Sequence, residues 1–177
     1  FVIRTAAVHD DNPEVHEAHR RGIPVFERTQ AWGALMRGYP NALCISGTHG
    51  KTTTTSMCTH IMMAAEKDPT VMIGGTLPLL HACHRVGKGN TIIMESCEYY
   101  NSFLSLNPTI AVILNIEADH LDFFKDIEDI KHSFRQFAER VPAETGTVIA
   151  NFDDVNTMDA LRGIERKVIT FGLSPKG

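Results

Sequence analysis

Ile45-Ser46-Gly47-Thr48-His49-Gly50-Lys51-Thr52-Thr53-Thr54-Thr55-Ser56 is the stretch around which the chain is organised. An apolar run, Ala42-Leu43-Cys44-Ile45, leads into it, and a helix-compatible run from Thr52 to Glu66 leads out. Strand, glycine turn and helix in that order are the layout of a phosphate-binding loop. Gly47 and Gly50 let backbone N–H groups turn inward on an anion with no Cβ in the way. The following helix adds its positive N-terminal end. Lys51 offers a mobile point charge for the outer phosphates, and Thr52 a hydroxyl for a magnesium ion. The spacing is unusual. The common P-loop has a glycine five residues before the glycine of Gly-Lys. Here that position is Ile45, and the first glycine is Gly47.

Composition narrows the function classes. At 177 residues, 43% hydrophobic and 21% charged, the chain is long enough for one good core or one domain plus part of another. A net charge of -4 gives no basic excess, so nothing points to nucleic acid or to an anionic membrane. No apolar run approaches the roughly 20 residues of a membrane span. The start, Phe1-Val2-Ile3-Arg4-Thr5, has neither the charged lead nor the cleavage site of a signal peptide. Cys44, Cys58, Cys83 and Cys97 form no C-x-x-C pair and are read as reduced cytosolic thiols. His81, Cys83, His84 and Cys97 fit no common zinc spacing. The chain begins without Met in mid-strand and ends on Ser174-Pro175-Lys176-Gly177. Both ends read as cut, which leads us to expect part of a longer protein, inactive by itself.

Outward from the loop, hydrophobic patterning predicts a parallel α/β chain. Val2 to Val8 reads as a buried strand, and Asn12 as the cap of a helix with Pro13 at its first position, ended by Gly22. Ile23 to Phe26 reads as a second strand. Thr29 is expected to cap a second helix with Trp32, Leu35 and Met36 as its apolar stripe. Arg37-Gly38-Tyr39-Pro40-Asn41 is a turn-rich break, and a domain boundary is expected there. Beyond the loop helix, strands are expected at Val71–Ile73, Thr91–Met94, Ile110–Leu114, Thr147–Ala150 and Lys167–Phe171. Residues 76 to 90 read as loop or a short helix. Helices are expected from Ile127 to Val141 and near Val155 to Arg162. Alternating strands and helices imply a mostly parallel sheet with helices on both faces.

In such sheets ligands bind beyond the carboxyl ends of the strands. One strand ends on the loop, one on Glu95-Ser96-Cys97-Glu98, and one on Asn115, followed by Glu117, Asp119, His120 and Asp122. A carboxylate at a strand end beside a phosphate loop suits a magnesium ion, a hard cation that takes oxygen ligands; the plain alternative for Glu95 is a solvated carboxylate. For His120 the residues leave two readings open. It is a metal or substrate contact, or Asp119 and Asp122 hold it as a structural group.

Three segments together resemble the signatures of the Mur ligases: the short loop Gly47-Thr48-His49-Gly50-Lys51-Thr52-Thr53, Glu95-x-x-Glu98 followed by Ser102-Phe103-Leu104, and Asn115-Ile116-Glu117-Ala118-Asp119-His120-Leu121-Asp122. His49, with the Glu-Ala-Asp-His form of the last segment, is similar to the branch that joins L-alanine to UDP-N-acetylmuramate; other members more often carry Asn in place of His49. The resemblance covers essentially the whole chain. It implies that residues 1–40 are the C-terminal part of a Rossmann-like domain binding the UDP substrate. Residues 41–177 would be the N-terminal part of a P-loop NTPase-like central domain binding ATP. Carried over by position, it implies nucleotide binding by Gly47, Thr48, His49, Gly50, Lys51, Thr52 and Thr53, and magnesium contacts from Thr52, Glu95 and His120. Lys51, Glu95 and His120 would be the catalytic groups, and His49, Glu98 and Asn115 are candidate substrate contacts. The implied cofactors are ATP and Mg2+, the substrates UDP-N-acetylmuramate and L-alanine, and the location the cytoplasm. Cys97 stands where many members have Asp, so no role is carried over to it. The rival readings are a sister ligase that attaches a recycled peptide to the same sugar, a kinase or nucleotide switch, and a nucleotide-binding module without catalysis.

Overall fold

The computed structural model describes residues 1–5 and 7–174. Its first part is a small parallel pair, β1 (Val2–Arg4) and β2 (Val25–Glu27), joined through helix α1 (Pro13–Arg20). Asn12 caps α1 as expected, its Oδ1 accepting from the N–H of Glu14 at 2.9 Å and of Val15 at 3.4 Å. The strand expected over Val2–Val8 is shorter: it ends at Arg4, Ala7 is already in a turn, and Ala6 lies outside the described residues. Arg4 bonds to the Val8 carbonyl and to Asp10, which folds the chain back before a longer strand can form.

Helix α2 (Arg28–Met36) starts one residue before the expected cap. Glu27 holds the N-cap position, with its N–H donated to Gln30 Oε1 at 2.9 Å, and Thr29 donates its hydroxyl to the Glu27 carboxylate. The expected stripe is also rotated. Met36 is buried, but Leu35 faces solvent and Gly33 turns inward. A Cβ on Gly33 would lie 2.0 Å from the Ser105 carbonyl oxygen. Only a glycine permits that approach, which docks α2 on the turn after β6.

The main sheet has seven strands in the order β5-β4-β6-β3-β7-β8-β9. These are β3 (Asn41–Ser46), β4 (Thr70–Leu77), β5 (Ala82–Arg85), β6 (Thr91–Glu95), β7 (Ile110–Ile113), β8 (Thr147–Asn151) and β9 (Lys167–Phe171). All neighbours are parallel except β5, which runs against β4 at one edge. β5 corrects the expectation of loop or a short helix over residues 76–90, of which the short helix is present only as one 3₁₀ turn. A 3₁₀ turn at Pro78–Leu80 reverses the chain, and the strand after it, Ala-Cys-His-Arg, is too short and too mixed to show a period. β4 likewise runs on through Gly74 and Gly75, where a strand end was expected.

Helix α3 (Lys51–Ala64) covers one face, over Ile45, Val71, Ile73 and Ile93. Its first turns are threonine-rich, a composition of modest helix propensity. Thr55 and Thr59 donate their hydroxyls to the carbonyls of Lys51 and Thr55, both at 2.8 Å, so these buried hydroxyls are satisfied inside the helix. The other face carries the larger core, covered by α2, α4 (Ile127–Glu139) and α5 (Val155–Ala160). Asp126 caps α4, and Ile130, Phe134, Phe137 and Ala138 recur on its buried side. Phe103 stacks on Phe137 with ring centroids 4.6 Å apart. Burying each of these rings is worth about 1.5–3 kcal/mol. Helices on both faces of a mostly parallel sheet is the expected fold class.

Candidate active site at the carboxyl ends of β3, β6 and β7

Strand order places the site. β3 lies between β6 and β7, which do not touch each other. The chain runs β3-α3-β4-β5-β6 on one side of β3, then crosses to β7 on the other. That reversal opens a crevice at the carboxyl ends of the three strands.

The loop after β3 is shaped by its glycines and clamped from β7. Gly50 has φ +82 and forms the left-handed entry to α3. Gly47 has φ +142, and a Cβ there would sit 2.9 Å from Leu114 Cβ. Asn115 holds the loop at both amide atoms. Its Oδ1 accepts the His49 N–H at 2.7 Å, and its Nδ2 donates to the His49 carbonyl at 3.1 Å. The Thr48 hydroxyl accepts the Glu117 N–H at 2.9 Å. Asn115 and Thr48 are therefore engaged in holding the loop, whereas the His49 ring is exposed and lies 3.5 Å from the Glu117 carboxylate.

Lys51 Nζ donates to the carbonyls of Gly47 at 2.6 Å and Thr48 at 3.1 Å. It also pairs with the Glu98 carboxylate at 3.1 Å, with the two side chains only 14% and 3% exposed. His120 approaches the same carboxylate, its Nε2 4.0 Å from Glu98 Oε1. Glu98 thus sits among groups from all three strand ends, a more central place than the candidate substrate contact that the sequence suggested. The signal for it was present in Glu95-x-x-Glu98, but spacing alone does not say which carboxylate turns inward.

The expected magnesium trio divides. Thr52 Oγ1 donates to Glu95 Oε1 at 2.9 Å, and Glu95 Oε2 accepts the Gly74 N–H at 2.7 Å. A Cβ on Gly74 would meet that carboxylate at 2.7 Å, so Gly74 makes the room for it. His120 makes its contacts with Glu98, Asp119 and Tyr99 instead. Among the described residues no group of three or more His, Cys, Asp or Glu side chains is arranged to hold a metal ion. The Thr52 hydroxyl bonded to the Glu95 carboxylate, and separately the buried Glu98 carboxylate, nonetheless offer the hard oxygens that Mg2+ takes. That ion keeps several waters and binds through one or two carboxylates plus phosphate oxygens, not a closed protein cage.

Of the structural partners expected for His120, Asp119 is in place and Asp122 is not. Asp119 accepts the His120 backbone N–H at 2.7 Å and lies 3.9 Å from the ring. Asp122 bonds elsewhere: it accepts the Tyr99 hydroxyl, and its carboxylate holds that phenol well above its usual pKa. The Tyr99 ring stacks on His120 at 4.3 Å. No spacing in the sequence marked Tyr99 out.

A cleft of about 430 Å³ opens beside Glu95. Arg28, Thr29 and Trp32 of α2 form one wall, and Gly74, Ser96 and Cys97 belong to the other.

The chain matches the model of the Mur ligase middle domain over residues 45–177 and that of the Mur ligase family catalytic domain over residues 2–40. It is 50% identical to the UDP-N-acetylmuramate–L-alanine ligase of Lachnospira eligens, over 99% of this chain and 38% of that one. Against the ligase of the same name from Caldanaerobacter subterraneus it is 47% identical, again over 99% and 38%. The chain thus spans about 38% of the length of these curated relatives. Among solved structures, UDP-N-acetylmuramate-alanine ligase from Thermotoga maritima superposes with a TM-score of 0.82 at 28% identity, over 98% of this chain and 38% of that one. The UDP-N-acetylmuramate:L-alanyl-gamma-D-glutamyl-meso-diaminopimelate ligase of Neisseria meningitides gives 0.83 at 26%, over 96% and 57%. The middle-domain match takes in the phosphate loop and every strand after it, and on that ground the chain belongs to the Mur ligase family.

Proposed function

We propose that this chain is the ATP-site portion of an ATP-dependent ligase that joins L-alanine to UDP-N-acetylmuramate, in the cytoplasm, for peptidoglycan precursor synthesis. The observation that carries the chemistry is the meeting of Lys51 and His120 at the buried Glu98 carboxylate, beside a phosphate loop. The substrates are proposed from the curated relatives at 50% and 47% identity. The division of the chain near residue 40, between a UDP-substrate part and an ATP part, belongs to the same proposal.

A carboxylate is a poor acceptor for an amine until one of its oxygens becomes a leaving group. A carboxylate oxygen attacks the γ-phosphorus of ATP, and ADP leaves. The alanine nitrogen then attacks the acyl carbon, phosphate leaves, and the nitrogen gives up a proton. Protein groups contribute position and charge here, not covalent chemistry. Within Gly47 to Thr53, the backbone N–H groups of Gly50 to Thr53 hold the β- and γ-phosphates at the start of α3, those of Thr48 and His49 being bonded to Asn115. Lys51 exchanges Glu98 for the γ-phosphoryl oxygens and stabilises the charge that develops there. Thr52, Glu95, Glu98 and His120 are the side chains that would hold the magnesium ion. An ion held there would supply positive charge against the phosphate oxygens during transfer. The muramyl carboxylate reaches the γ-phosphate from the cleft beside Glu95, with Arg28 as a cation on its far wall.

The peptide-adding ligase is the second reading, favoured by a structural likeness as high as that to the alanine ligase. The test is product identity with the full-length enzyme. ADP and an amide should form with UDP-N-acetylmuramate and free L-alanine, and not with a tripeptide in its place. Lys51→Ala should abolish ADP formation. Amide formation from the tripeptide alone would favour the second reading, and undiminished ADP formation by Lys51→Ala would sink the role given to Lys51.

A further inference from the structure

We propose that Tyr99 is a positioning residue: with Asp122 it forms a clasp across the end of β3 that fixes Glu98 and His120 at the spacing a divalent cation needs. The inference rests on the ligase reading above and concerns a pair of residues that no part of that reading uses.

β6 and β7 are separated by β3, so no ladder hydrogen bond sets the distance between the turn that carries Glu98 and the loop that carries His120. Side chains near these two residues span the gap: the Tyr100 ring packs on Phe123 with centroids 4.9 Å apart, and Tyr99 reaches the residues closest to the site. Tyr99 follows Glu98 directly, and its hydroxyl donates to Asp122 Oδ2, two residues past His120. The Tyr99 ring also stacks on the His120 ring, 4.3 Å between centroids with the planes 24° apart. One side chain thus grips the far loop twice, at the imidazole and at the carboxylate beyond it.

Each side of the clasp is itself held. Ser102 donates its hydroxyl to the Tyr99 carbonyl at 2.8 Å and to that of Cys97 at 3.0 Å. Tyr100 and Asn101 take left-handed φ values of +52 and +55, and Asn101 is anchored to Ser133 on α4. On the other loop His120 has φ +52, and its carbonyl accepts the N–H groups of Phe123 and Phe124 at 2.9 Å. Non-glycine residues in that region persist where their surroundings hold them, and they cluster at sites where geometry matters. The ring against His120 restricts the imidazole to an orientation with Nε2 turned to Glu98, 4.0 Å from Oε1.

The test uses the full-length enzyme as parent, Tyr99→Phe, Tyr99→Leu and Asp122→Asn, with Mn2+ as a paramagnetic probe. Mn2+ binding is followed by electron paramagnetic resonance in the presence of a non-hydrolysable ATP analogue. Tyr99→Phe keeps the stack and loses the hydrogen bond to a charged group, which should weaken Mn2+ binding about tenfold; Tyr99→Leu loses both and should weaken it further. Combining Tyr99→Phe with Asp122→Asn should cost no more than the larger single effect, because both cut one bond. Thermal unfolding midpoints and metal-free nucleotide affinity should stay at the parent values. Mn2+ affinity equal to the parent's in all variants would overturn the clasp. So would losses in Mn2+ affinity that track lowered unfolding midpoints, since that is general destabilisation. A parent enzyme with no Mn2+–nucleotide binding would overturn the ligase reading itself, and the clasp with it.

Discussion

Removing Lys51 should destabilise the protein through Glu98, and removing the Glu98 charge as well should restore most of the loss. The Glu98 side chain is 3% exposed and that of Lys51 14%, so the pair is held by protein groups with little water around it. Without Lys51 the nearest cation-forming group is His120 at 4.0 Å. Breaking a buried pair from one side costs about 3–5 kcal/mol. The lower end applies because Lys51 keeps some solvent contact, so we expect about 3 kcal/mol for Lys51→Ala. For a domain of this size that lowers the unfolding midpoint by about 6–12 °C. Glu98→Gln should cost only about 1 kcal/mol, because Lys51 retains the Gly47 and Thr48 carbonyls. The double variant should then lie within about 1 kcal/mol of the parent, a coupling of about 3–4 kcal/mol. Urea unfolding of the four proteins measures this, with ADP formation assayed alongside. Activity should be absent in both Lys51→Ala proteins, so stability returns without function. A Lys51→Ala protein within about 0.5 kcal/mol of the parent, or a coupling below that figure, would refute the burial argument.

Three further outcomes are expected. Gly47→Ala forces a Cβ to 2.9 Å from Leu114 at φ +142, and the displaced loop should weaken ATP binding by about 2–4 kcal/mol in a fluorescent-nucleotide titration; affinity within threefold of the parent contradicts the packing. Asn115→Ala frees the His49 N–H and carbonyl and should speed amide hydrogen exchange over residues 47–50, at a cost of about 1–3 kcal/mol in loop stability; unchanged exchange there would rule out the clamp. The Lys88 N–H and then the Arg85 guanidinium hold the Asp68 carboxyl below its ordinary range, so its stabilising contribution is present above about pH 4 and fades as pH falls through the depressed folded value. Asp68→Asn should therefore be less stable than the parent at pH 7, with the gap closing in acid; a gap constant down to pH 3 would show that the charge is not responsible.

The sheet was legible because its strands are apolar runs bounded by turn residues, and because Asn12-Pro13 and the stripe of α4 follow capping and period rules closely. What escaped the pattern was decided by contacts distant in sequence. Leu35 turned out and Gly33 turned in because the Ser105 carbonyl requires a residue without a Cβ. β5 is a four-residue edge strand whose partner, β4, supplies the pairing that its own composition does not announce. At the site, the residue types at each strand end were readable, but their pairing was not. Glu95 bonds Thr52 and Gly74, Glu98 takes Lys51, and Asp122 takes Tyr99, and each choice depends on how loops from non-adjacent strands cross. Asn115 looked like a ligand group because it ends a strand; its amide is used to hold the loop.

The proposed chemistry turns on one oxygen atom. UDP-N-acetylmuramate labelled with 18O in its carboxylate should be given to the full-length enzyme with ATP and L-alanine, and the released phosphate read by mass spectrometry. Transfer through an acyl phosphate predicts one 18O in each phosphate released, in step with amide formation. Amide formation with unlabelled phosphate would contradict it.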